Sequence, residues 1–292
     1  MTDAERLMAG YIPAVSVAPF AVAPERAQEL NDVIFKRVPW ILDFAVGQNR
    51  TTFIAYPSKQ LLEARFFALL SLWASANAAL LFASEMMEAT RNGRRAVSAA
   101  LGSPAAEALR FVAAAEELLR DPSATWPADL ALPDPHAEIE THAWYVNQLF
   151  LAATAWVLLH EIAHVHLGHE ETTIAEIRIR QEREADEWAT RWVLEQAPED
   201  LRREFRSVAC ATGLAWIGLG DEIQRGLTTH PHASQRLTAC SSFFPSAETS
   251  PALEMAGHIV KAFFNPHAPM PDSEHPSEAF DRILHWYRDA SR

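Results

Sequence analysis

From Ala152 to Leu159 the chain is apolar around nearly the whole circumference of a helix, and this run leads directly into His160-Glu161-Ile162-Ala163-His164. A helix that is hydrophobic on every side has to lie in the interior, wrapped by other elements. The centre of the fold must therefore be helical, and it must accommodate two imidazoles and a carboxylate at the end of its central element. Buried ionisable groups need partners or a metal to offset their desolvation. Helical pitch places His160 and His164 one turn apart on one face, where both rings can reach a single tetrahedral zinc ion. Glu161 lies beside them as a base for a metal-activated water.

Two histidines do not hold a catalytic zinc tightly, so a third ligand is required. The segment Gln181 to Ala189 supplies Glu182, far enough beyond His164 for a loop and a second helix to return beside the first. Asp186, one turn after Glu182, is placed to accept the remaining ring N–H of a ligand histidine and fix its tautomer. Ala185 and Ala189 permit close helix approach, with Trp188 and Trp192 closing the core behind them. The competing reading is a solvent-facing helix carrying ordinary Glu and Arg pairs, and it is the one adopted for Glu187 and Arg191. The HExxHxxGxxH spacing is not met, because Leu167 and Glu170 stand where its glycine and third histidine belong. His166 and His169 are accordingly expected at the frayed helix end or on the surface.

Downstream, Thr229-His230-Pro231 precedes Arg236. Pro231 suits a first helical turn, which puts His230 at a helix start and Arg236 about two turns on. Such a histidine can donate to a developing oxyanion, and such an arginine can hold Asp186. An incidental histidine on a capped surface helix is the alternative.

Composition sets the remaining bounds. The 292 residues allow two domains or one large core. A net charge of −13 repels phosphate backbones and anionic lipid headgroups, so nucleic acid is excluded as the expected partner. Hydrophobic residues at 49% and charged residues at 22% exclude wholesale disorder. Cys210 and Cys240 are too few for a disulfide framework, and the acidic, proline-interrupted start lacks an export signal, so the expected location is cytoplasmic. Phe66 to Ser84 carries no charge, but its serines, Asn77 and alanines favour a buried helix over a membrane span.

Helical spacing extends over Lys59 to Arg91, Pro104 to Arg120, and six stretches beyond His136. Ile41 to Val46 and Thr51 to Tyr56 predict a β-hairpin, the expected docking edge for an extended peptide. The proline-rich connection Asp121 to Pro135 divides an N-terminal supporting and recognition region (1–135) from the zinc region (136–292), the two forming one compact unit. The predicted fold class is mainly α (α+β), with a small hairpin or sheet near the N-terminus.

HExxH, followed by a Glu182-x-x-Ala185-Asp186 helix and then Thr229-His230-Pro231 with Arg236, resembles the gluzincin metallopeptidases of the HtpX type. Chain length and the segment Leu159 to His164 look most like the phage-exclusion peptidase Lit family. The resemblance implies His160, His164 and Glu182 as zinc ligands and Glu161 as the base, over roughly residues 136 to 240. It further implies a cytoplasmic suicide endopeptidase that cuts a host translation factor once a phage-derived peptide is bound. An ImmA-like protease acting on a repressor, and a non-catalytic binding protein with structural zinc, are the alternative readings. The expected partners are a protein or peptide substrate and an activating peptide.

Overall fold

The element around which the fold is built is the helix His142–His166, buried from Val146 to Ala163 along most of its circumference. In the computed structural model the described residues are 1–32, 41–45, 52–56, 59, 61–94, 99–170, 172, 174–223, 231–245, 250–267, 269–273 and 275–290. Along the chain they form α1 (Asp3–Met8), α2 (Ile12–Val22), α3 (Ala27–Leu30), β1 (Ile41–Ala45), β2 (Phe53–Tyr56), β3 (Leu61–Arg65), α4 (Phe66–Arg91) and α5 (Pro104–Arg120). The elements α6 (His142–His166), α7 (Ala175–Leu194), α8 (Leu201–Ile223), α9 (Ala233–Ser241), α10 (Pro251–Phe264) and α11 (Pro276–Ala290) follow. The fold is mainly helical, with one small sheet near the N-terminus.

Local chemistry sets several boundaries. Ser103 and Ser250 cap α5 and α10 through their side chains, and each is followed by a proline at the first helical position, where the missing N–H costs nothing. Thr141 caps α6 by accepting from Trp144 N. At its other end α6 closes with Gly168 at φ 68°, while the His169 N–H reaches His164 O at 2.9 Å and the Gly168 N–H reaches Val165 O at 3.1 Å. These two bonds satisfy carbonyls of the last turn and fold the chain back over it.

Packing against α2, α4, α7 and α8 covers α6. Trp156, fully buried, donates from Nε1 to Thr190 Oγ1 of α7 at 3.0 Å. On its other side Gly213 of α8 admits the ring, since a Cβ there would stand 3.0 Å from Trp156 Cε3. Both α4 and α6 are long and apolar enough to cross a membrane, and most of the apolar window of each is buried within the fold. Two buried polar groups of α4 have internal partners: Ser71 Oγ donates to Ala115 O and accepts from Trp216 Nε1, and Asn77 Oδ1 pairs with His142 Nε2.

The sheet differs from the sequence expectation. Its strand order is β1-β3-β2, with β1 parallel to β3 and β2 antiparallel to β3, so the two anticipated hairpin strands do not pair. Residues 47–50, the anticipated turn, and the flanking Val46 and Thr51 lie outside the described residues. Leu61–Arg65, read as the start of a helix, is instead the central strand. Leu62 and Ala64 are buried while Leu61, Glu63 and Arg65 are half-buried, the two-residue alternation of a strand with one covered face. The helix begins at Phe66.

The N-terminal helices, obscured in sequence by Pro13 and Pro19, are part of the core. Tyr11 donates to Asn147 Oδ1 of α6 at 2.7 Å, and Asn147 Nδ2 donates to Asp134 O at 2.7 Å. Arg206 of α8 joins Glu25 to the Val193 carbonyl. A continuous hydrophobic cluster runs from Ala4 to Tyr287.

Candidate metal centre

The last turns of α6 and the middle of α7 converge on one buried cluster. His160 Nε2 lies 3.1 Å from His164 Nε2 and 3.4 Å from Glu182 Oε2, and His164 Nε2 lies 3.6 Å from Glu182 Oε1. One donor atom from each residue falls within 4.8 Å of the others. A tetrahedral ion with bonds of about 2.1 Å needs donors about 3.4 Å apart. The spacing and the mixed N/O donor set therefore fit a divalent metal, and His160, His164 and Glu182 form a group that could hold one.

Behind the cluster stands a chain of charges. Asp186 Oδ1 lies 2.9 Å from His160 Nδ1, a close ion-pair contact whose direction is off the ring N–H axis. Arg236 of α9 binds the same carboxylate through both oxygens, from Nε at 2.7 Å and from Nη2 at 2.7 Å. It also stands 3.6 Å from Glu182 Oε2. All four side chains are buried. Burial would raise the Asp186 pKa, but the charges of Arg236 and His160 outweigh it and hold the carboxyl below its usual range. Burial would likewise lower the His160 pKa, yet the carboxylates of Asp186 and Glu182 push it up to about 10. His164, desolvated and facing a charged His160, is pushed down to about 3. Without an ion, one proton on His160 occupies the electrostatic place a cation would take.

Glu161, half-buried on α6, accepts a hydrogen bond at Oε2 from the Ala55 N–H of β2 at 3.1 Å. That contact was not accessible to sequence reasoning, because a backbone donor leaves no residue signature. Its geometry follows from the sheet. The Arg65 N–H bonds Thr52 O, which places the bonded pairs of this ladder at Thr52, Ile54 and Tyr56 and turns Phe53 and Ala55 outward. Since β2 is an edge strand, that outward side faces the site.

Two expectations change, that for His169 and that for the start of α9. His169 is not a surface residue: its ring is 8% exposed, with Nδ1 2.9 Å from His164 Nδ1 and Nε2 3.1 Å from Glu184 Oε2. The signal that could have found it is Gly168, a glycine in the position that reverses a helix end. His166 is exposed and packs its ring against Trp188 at 5.3 Å. His230 lies outside the described residues, and Pro231 does not open a helix. The helix starts at Ala233, and His232 is its cap, accepting at Nδ1 from Ser234 N. Imidazole can supply a capping acceptor as a carboxylate does, and this moved the boundary two residues along.

The opposed shifts of the two histidines give a defined pH response for metal-free protein. Folding raises the His160 pKa above its ordinary value of 6.5, so its contribution to stability is fully present below that pH and is lost as pH rises through about 10. Folding depresses the His164 pKa, so its contribution is present above 6.5 and is lost as pH falls through about 3. This pair should therefore place a stability maximum near pH 6.5, read as the urea midpoint across that range. Replacing His164 with Leu should remove the decline on the acid side of 6.5 that this histidine causes; an unchanged acid limb contradicts the assignment.

Comparison with known proteins agrees with the motif. The model of the peptidase U49 family matches residues 64–256, a span that contains the whole cluster. The chain is 26% identical over 245 residues to the cell death peptidase of Escherichia coli (strain K12), covering 80% of each chain. No solved structure matches it. The family model covers well over half of the sequence and includes His160, Glu161, His164 and Glu182, and the chain belongs to this Lit-like peptidase U49 family.

Proposed function

We propose that the protein is a zinc endopeptidase that hydrolyses a peptide bond in a specific protein substrate. The observation that carries this reading is the tetrahedral spacing of His160 Nε2, His164 Nε2 and Glu182, with Glu161 adjacent to His160 on the same helix and its carboxylate held by the Ala55 N–H. Three protein donors leave the fourth position that a catalytic site keeps open, whereas structural zinc takes four. The chemistry supplied by such an ion when bound is Lewis acidity, toward the attacking water and the scissile carbonyl.

The chain's own residues do the rest. Glu161 takes the proton from the attacking water and returns it to the leaving amine. The Ala55 N–H fixes the Glu161 carboxylate during both transfers. Asp186, itself held by Arg236, orients the His160 ring. The outward N–H and C=O of Phe53 and the outward C=O of Ala55 offer the edge along which an extended substrate segment adds as a strand. His230, on the segment leading to α9, is proposed to share the oxyanion. The cellular role proposed is phage exclusion or abortive infection in the cytoplasm, with a translation factor as substrate and a phage-derived peptide as activator. The designation of the relative as a cell death peptidase supports that setting.

Two tests follow. Glu161→Gln keeps shape but cannot act as the base, so it should retain zinc and lose about 10²–10⁴-fold in cleavage of host-lysate proteins. It should also relieve any growth arrest caused by expressing the wild type. Wild type purified mildly with no bound metal, or undiminished cleavage by the variant, would sink the reading. Ala55→Pro removes one outward-facing edge N–H, a position where a strand tolerates proline. A hydrogen bond to a charged group contributes about 1.5–3 kcal/mol, so turnover should fall by about one to two orders of magnitude with zinc content unchanged. Full turnover in Ala55→Pro would show that this contact does not hold the base.

A further inference from the structure

The proposed mechanism accounts for the partners of His160 but not for those of His164. The far nitrogen of that ring does not face water. His164 Nδ1 meets His169 Nδ1 at 2.9 Å, and His169 Nε2 meets Glu184 Oε2 of α7 at 3.1 Å. The ring of His169 is nearly covered, at 8% exposure, while Glu184 is half-exposed at 49%.

The directions of these bonds follow from one end. A carboxylate can only accept, so the His169 nitrogen beside Glu184 carries a proton. In the neutral ring the other nitrogen, Nδ1, is then an acceptor. The His164 nitrogen facing it must donate, which puts the His164 proton on Nδ1 and leaves Nε2 bare. Nε2 is the atom that faces His160 and Glu182. We propose that His169 is a positioning residue of the peptidase site: with Glu184 it locks His164 in the tautomer that presents Nε2 to a metal. This assignment rests on the metal-site reading above.

Gly168 makes the arrangement possible. At φ 68° it adopts a conformation that side chains disfavour, and it turns the chain so that the His169 N–H bonds the His164 carbonyl while the two rings meet edge to face, with centroids 5.0 Å apart. The two ligand histidines thus have separate supports from different directions. His160 has Asp186 and Arg236, and His164 has His169 and Glu184.

The test compares zinc affinity by chelator competition in wild type, His169→Leu and His169→Asn, together with the thermal stability of each metal-free protein. Leucine fills the space without an acceptor, whereas the asparagine side-chain oxygen stands about where Nδ1 stood. His169→Leu should bind zinc about 10–100-fold more weakly, the usual loss for an outer partner of a ligand histidine. His169→Asn should recover most of that affinity, and the metal-free melting temperatures should agree. A merely structural role would lower both stabilities without selective rescue. Equal zinc affinity in wild type and His169→Leu, or equal loss in both variants, overturns the proposal while leaving the metal site intact. Absence of zinc binding by wild type overturns both.

Discussion

Asp186 lies between a guanidinium and an imidazole in the interior, and the site depends on that contact. A buried carboxylate costs several kcal/mol of desolvation, and only close, well-placed cations offset it. Arg236 supplies two hydrogen bonds from α9, and His160 supplies the second contact from α6. The carboxylate thereby joins three helices at one point. Removing any partner would strand a charge, which is costlier than never having buried it. The positions of α6, α7 and α9 relative to one another are therefore fixed by electrostatics as well as by packing.

The apolar wrapping of α6 makes those charges effective. With water excluded, His160 is held between two carboxylates and keeps a proton to about pH 10, while its neighbour His164 is driven neutral. The metal-free cluster matches two anions, Glu182 and Asp186, with two cations, Arg236 and protonated His160. It is a preorganised cation site in which a proton stands in for the ion. Trp156 and Gly213 maintain this by letting α8 close against α6. The sheet contributes its edge, aimed at Glu161 through one backbone N–H.

Much of this was legible because it is local. Helical pitch places His160 and His164 together, and the Ser-Pro pairs at 103–104 and 250–251 mark the starts of α5 and α10. The spacing to Glu182 and Asp186 was readable because α6 must be central and α7 has to return to it. What failed was non-local or belonged to the backbone. Leu61 to Arg65 consists of good helix formers, and its pairing with two strands overrode propensity. The parallel partnership of β1 and β3 has no turn signature. The covered ring of His169 was not legible because a frayed helix end leaves a side chain in solvent, whereas the backbone of Gly168 brings this ring back to His164.

The central claim is that His160, His164 and Glu182 hold one catalytic zinc ion and leave a position open toward Glu161. Its most direct test is anomalous diffraction at the zinc edge from crystals of the purified protein. The account expects a single strong peak about 2.0–2.2 Å from His160 Nε2, His164 Nε2 and a Glu182 oxygen, with no fourth protein ligand. A peak elsewhere, or one coordinated by a fourth side chain on the Glu161 side, would contradict it.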